Sequence, residues 1–150
     1  MIDRKRIMDI VGNYDHKKIK IGVLGSHSAL EIMDGATDES MKTVCICQKG
    51  RETPYLRFKR ISNDVLILDK FADILNEEIQ KQLRDLNVIM VAHRAFSVYL
   101  GYDNIEGNFL IPIFGNRNLL RAEERTYPKN QYYLLNKSNI KHPKIFRDPS

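Results

Sequence analysis

Apolar positions along this chain form short runs separated by amphipathic stretches. Within 3–13, Ile7, Ile10 and Val11 fall on one helical face, and Gly12-Asn13 supplies the stop. The apolar run at 19–24 breaks at Gly25, which predicts a strand over 18–24 and a helix from Ser28 to about Ala36. A second strand is expected at 43–47, a third at 65–68 and a fourth at 88–92. The continuous apolar character of the fourth predicts burial on both faces. Residues 77–86 read as a helix, with Glu77 and Glu78 in its first turn and Arg84 in its last, which suits the helix dipole. Residues 50–60 read as a basic loop. Beyond residue 105 the pattern changes: Pro112 interrupts the apolar stretch 109–114, and Gly115-Asn116-Arg117 reads as a turn. Residues 118–125 look helical, with Asn118 as N-cap, and 129–135 look helical again. An extended piece follows at 140–146, and Asp148-Pro149-Ser150 ends the chain with no obvious end of structure.

Strands alternating with helices at this spacing imply an α/β fold with a parallel sheet flanked by helices on both sides. Ligands of such sheets bind outside the carboxyl ends of the strands. Three polar clusters fall there: Gly25-Ser26-His27-Ser28 after the first strand, Lys49-Gly50-Arg51 after the second, and His93-Arg94 after the fourth.

The Gly25-Ser26-His27-Ser28 turn lacks the Gly-Lys-Ser/Thr ending of a P-loop and the second and third glycines of a dinucleotide fingerprint. Two readings fit it. In one, the helix N-terminus offers backbone N–H groups to an anion and His27 touches the same ligand. In the other, glycine makes the tight turn, serine caps the helix and His27 is solvated. Arg51 is a candidate oxyanion clamp, the alternative being a solvated basic loop. His93 could bond a ligand or transfer a proton; a backbone-bonded histidine is the competing reading. Arg117 points either toward a site or into a salt bridge with Glu123 or Glu124. Neither paired carboxylates nor a serine–histidine–aspartate set is evident.

Composition narrows the class. The 150 residues are 43% hydrophobic and 29% charged, enough for a sizeable core and unlike a disordered chain. The formal net charge of +5 is spread along the sequence and marks no nucleic-acid tail, but suits phosphate ligands. With neither a signal peptide nor an apolar run long enough to cross a membrane, a cytoplasmic location is expected. Cys45 and Cys47 are expected to face opposite sides of the second strand, which argues against a mutual disulfide. A zinc site is not expected either, since no histidine is near.

Five stretches in order then carry a resemblance: Leu24-Gly25-Ser26-His27-Ser28-Ala29-Leu30, Thr43-Val44-Cys45-Ile46, Lys49-Gly50-Arg51 with Pro54-Tyr55 and Arg57-Phe58, Asn76-Glu77-Glu78-Ile79, and Pro112-Ile113-Phe114-Gly115-Asn116-Arg117. From residue 2 to about 125 the chain resembles the N-terminal portion of the archaeal formaminoimidazole-carboxamide ribonucleotide synthetase family, ATP-grasp ligases of purine biosynthesis. The resemblance implies a Rossmann-like pre-ATP-grasp domain over 1–125 and the beginning of an ATP-grasp domain over 126–150. It implies a reaction joining formate to aminoimidazole-carboxamide ribonucleotide with ATP and Mg²⁺, and a homo-oligomer. Neither nucleic acid nor membrane is an expected partner. The substrate-binding residues expected are Gly25, Ser26, His27, Arg51 and His93; His27 matches a family histidine that contacts the ribonucleotide.

A second family contact is the serine of a His-Gly-Ser-Phe motif, which here reads His93-Arg94-Ala95-Phe96. That departure leaves a paralogue with a different substrate as an alternative, beside a non-catalytic nucleotide-binding or interaction module. Members of the family are more than twice as long, and their ATP and metal ligands lie in later domains. The chain is therefore expected to be a fragment or one part of a split enzyme, with no ATP or metal ligand of its own.

Overall fold

A computed structural model describes residues 1–146, and the terminal Asp148-Pro149-Ser150 lies outside the described residues. The first helix, α1 (Arg4–Gly12), starts where the Asp3 side chain accepts from Lys5 N–H and stops at Asn13, as its apolar face predicts. Four strands follow: β1 (Lys20–Leu24), β2 (Lys42–Gln48), β3 (Asp64–Leu68) and β4 (Val88–Met90). They form one parallel sheet in the order β3-β2-β1-β4. The chain steps outward from β1 to β2 to β3, then returns to place β4 on the other side of β1. A topological switch point therefore lies between β1 and β4.

The connecting helices are α2 (Ala29–Asp38), α3 (Thr53–Arg57) and α4 (Glu77–Asp85). Helix α2 packs on β1 and β2, α4 packs on β4, and a 3-10 turn at Phe71–Leu75 packs on β2 and β3. One face of the sheet gathers Val23, Cys45 and Cys47 against Ala29, Met33, Tyr55 and Ile61. On the other face, a Cβ built on Gly22 would lie 2.4 Å from Val88 Cγ1 and 2.6 Å from Met90 Sδ. Only glycine lets β4 approach β1 so closely at that point.

The expectation that Cys45 and Cys47 face apart is corrected here. Strand side chains alternate with a period of two, so residues two positions apart share a face. Both thiols are fully buried in the same cluster. They are free, not bridged. Burial raises both thiol pKa values.

Three further stretches differ from the sequence reading. The basic loop contains α3, which begins with Pro54 in its first turn and turns Tyr55 into the core. The fourth strand stops at Met90. Beyond it Val91 N–H bonds to Gly22 O at 2.9 Å, while Met90 itself pairs in parallel with Ile113. The proline-broken stretch thus lies beside β4. Between them run two helices the pattern did not show, α5 (Arg94–Leu100) and α6 (Tyr102–Gly107), separated by Gly101 at φ +75°. Each spans about two turns or fewer, too short for a clear period to register.

Two buried polar side chains tie this region together. Gln80, 1% exposed, donates to Leu75 O at 2.9 Å and Asn108 O at 3.0 Å and accepts from Leu110 N–H at 2.5 Å. Arg117 donates to Ile105 O at 2.6 Å, Ile111 O at 3.0 Å and Phe109 O, and lies over the Phe109 ring. Both readings offered for Arg117, a site contact or a bridge to Glu123 or Glu124, give way to this backbone role. Burial pushes its pKa down to about 10, so it is charged at neutral pH.

The chain divides into two compact units, Met1–Arg117 and Asn118–Ser150. A 3-10 turn occupies Arg117–Glu123, with Asn118 inside it and not capping it. In the second unit α7 (Gln131–Lys137) is capped by Asn130, whose side chain accepts from Tyr132 and Tyr133 N–H. Residues 141–146 form no regular element.

Candidate functional site

All five site residues expected from the sequence lie at the carboxyl edge of the sheet, in the loops that follow β1, β2 and β4. Gly25 continues β1 by donating to Ile46 O at 2.7 Å. A Cβ there would meet Cys47 Cβ and Tyr55 Cε2 at 2.7 Å and Cys45 Sγ at 3.0 Å. The glycine therefore lets the turn sink onto the cysteine pair, and a larger residue would lift it. Ser26 N–H turns back to Leu24 O, and Ser26 O accepts from Ala29 N–H at 2.9 Å. Ser28 occupies the cap position of α2 but makes no side-chain cap bond; its Oγ lies 2.9 Å from His27 Nδ1. Ser28 thus stands at the cap position without the side-chain bond of a capping serine, while the tight glycine turn and the exposed His27 are as that alternative has them.

His27 is exposed and has φ +38°, a left-handed conformation that side chains other than glycine adopt at a cost. Its ring is held toward Ser28 and turned to solvent.

His93 caps α5, its Nδ1 accepting from Ala95 N–H at 3.3 Å. Its Nε2 lies 3.0 Å from Leu24 O, and since a carbonyl only accepts, Nε2 carries the proton. The ring thus staples the end of β1 to the segment after β4, across the switch point. Both ring nitrogens are engaged with backbone, as the competing reading of this residue has it.

Arg51 follows β2 and donates from Nη1 to the Tyr99 hydroxyl at 3.0 Å. Its guanidinium carbon lies 5.7 Å from the Phe71 ring centroid and 5.9 Å from that of Tyr99, within reach of cation–π attraction. The two rings pack at 4.4 Å. Hydrogen bonds from Arg51 and then Ser26 hold the Tyr99 phenol below its ordinary pKa. Sequence reasoning missed Tyr99 because it sits in a helix too short to announce itself. One signal was available: His93 and Tyr99 lie within one segment after a strand end.

Among the described residues no group of three or more His, Cys, Asp or Glu is placed to hold a metal ion. No helix among them is long and apolar enough to cross a membrane.

Comparison with known proteins sets this edge in context. The chain is 42% identical over 150 residues to a 5-formaminoimidazole-4-carboxamide-1-(beta)-D-ribofuranosyl 5'-monophosphate synthetase of Methanopyrus kandleri, covering 99% of this chain and 41% of that protein. The synthetase of the same name from Methanocaldococcus jannaschii is 44% identical over 149 residues, with 99% of this chain and 40% of the relative covered. A crystal structure of an IMP biosynthesis protein PurP from Thermococcus kodakaraensis superposes with a TM-score of 0.67 at 27% identity, over 85% of this chain and 39% of that one. The chain spans about two fifths of the length of these relatives. It matches their N-terminal portion. A family model described as "Protein of unknown function (DUF1246)" matches residues 21–146, and the chain belongs to that family.

Proposed function

We propose that this chain is the ribonucleotide-binding N-terminal part of a formate- and ATP-dependent ligase that formylates aminoimidazole-carboxamide ribonucleotide in purine biosynthesis. The observation that carries this reading is the likeness, along 99% of the chain, to relatives named as synthetases of the formylated ribonucleotide. The geometry agrees with it. A glycine turn, the N-terminus of a ten-residue helix, a solvent-facing histidine and an arginine all belong to loops on the carboxyl edge of a parallel sheet. Gly25 and Ser26 would shape the cradle, and His27 and Arg51 would contact the ligand. His93 would contribute by fixing the crevice, its ring nitrogens being occupied.

In this reading 1–125 is a Rossmann-like pre-ATP-grasp domain and 126–150 begins an ATP-grasp domain. ATP and Mg²⁺ serve the ligation, and no residue of this chain is assigned to them. The chain alone binds the ribonucleotide without formylating it.

One observation favours a second reading. Ala95 stands where the resembling family has serine, so the hydroxyl that would reach the ligand is missing. A paralogue that takes a different nucleotide monophosphate fits that change.

Calorimetric titration with aminoimidazole-carboxamide ribonucleotide decides between them. Saturable binding that weakens roughly tenfold in His27→Ala is expected, the scale of losing one hydrogen bond to a charged group. Uptake of another nucleotide monophosphate in its place would favour the paralogue, and no uptake of any would overturn both. The backbone at His27 adds an independent check. His27→Gly relieves a left-handed strain of about 1 kcal/mol, so its thermal midpoint should hold or rise while its affinity falls.

A further inference from the structure

Three of the four strand ends send a side chain to a single point. Arg51 comes from the loop after β2, Phe71 from the turn after β3, and Tyr99 from α5, which follows β4. The guanidinium at their centre is held by a phenol hydroxyl and two aromatic faces. Among the described residues no carboxylate pairs with it, whereas Arg60 and Arg84 each have one. An arginine oriented by neutral groups keeps its full charge for a ligand, because no competing anion has to be displaced. Phe71, 2% exposed, is an anchored wall, and Tyr99, 36% exposed, forms the outer part of the seat.

We propose that Tyr99 is a positioning residue of the site, holding the Arg51 guanidinium as the receptor for the phosphate monoester of the bound ligand. The inference rests on the ribonucleotide reading above and adds which group of the ligand Arg51 meets and what keeps Arg51 in place. Tyr99→Phe keeps the ring stack and removes only the hydroxyl, so the fold is retained. Arg51→Gln removes the receptor itself.

The test is a double-substitution cycle read by calorimetry with aminoimidazole-carboxamide ribonucleotide and with its riboside, which lacks the phosphate. Tyr99→Phe should weaken the ribonucleotide roughly 3- to 10-fold and leave the riboside unchanged. The same substitution in an Arg51→Gln background should change neither. Equal losses in both backgrounds, or equal losses for both ligands, would overturn the inference. A second measurement needs no nucleotide: the Nη signals of Arg51 in ¹⁵N-arginine spectra, alone and with inorganic phosphate. Slow guanidinium rotation in the wild type, faster rotation in Tyr99→Phe and a phosphate-induced shift of Arg51 support the inference. Identical rotation in both proteins, or no response to phosphate, sinks it. If the wild-type chain takes up no ribonucleotide, the functional reading falls, and the Tyr99 inference is decided by the arginine signals alone.

Discussion

Replacing Arg117 by methionine should lower unfolding stability by about 2–4 kcal/mol, the scale of leaving several buried acceptors without partners. Three carbonyls, those of Ile105, Phe109 and Ile111, take their hydrogen bonds from this one guanidinium. All three residues are fully buried. The fork geometry of arginine spans them; a lysine ammonium at the same place has three donors on a single atom and cannot reach all three in the same directions. Arg117→Lys should therefore recover less than half of the loss. Urea unfolding followed by circular dichroism would measure both, with the midpoint moving and the slope unchanged. A methionine variant within 0.5 kcal/mol of wild type would mean that water reaches these carbonyls.

Gln80→Leu should cost a similar amount, about 2–4 kcal/mol. The amide satisfies two acceptors and one donor from two separate segments, one ending at Leu75 and one at 108–110, and leucine satisfies none. The comparison with Gln80→Glu separates hydrogen bonding from shape. Glutamate keeps the acceptor for Leu110 N–H but turns a carboxylate oxygen toward the carbonyls of Leu75 and Asn108. That places negative charge beside two acceptors in a buried site, so Gln80→Glu should be the worse of the two at neutral pH. It should recover part of the difference as the solution is acidified and the carboxyl becomes a donor. Equal stability of the two variants across pH would show that volume, and not donor count, decides this position.

The periodic signals in the sequence located β1, β2, β3, α1, α2 and α4 to within a few residues. The helices carry a 3.6-residue apolar face over enough positions to register, and the strands are apolar runs with clear ends. The segment from Arg94 to Gly107 escaped because its two helices end before a period can repeat, and Gly101 separates them. Tyr99 went unseen with it. The basic loop hid α3 because its charges face solvent, and Tyr55 alone marks the buried side. Arg117 and Gln80 were beyond reach for another reason. A buried polar side chain is defined by the carbonyls it meets, and those come from segments up to 28 residues away in sequence. At the candidate site the positions of His27, Arg51 and His93 followed from strand ends alone. Their hydrogen-bond partners did not.

The thiol pair under Gly25 gives this protein a built-in reporter. Cys45 and Cys47 are the only cysteines in the chain, and both are sealed beneath the turn that carries the candidate site. A thiol reagent can label them only when the turn, α2 and α3 lift from β2, so the labelling rate counts local openings over this face of the sheet. A ligand that settles on the turn should slow this labelling in proportion to its occupancy. The wild-type chain can thus register binding without an introduced probe.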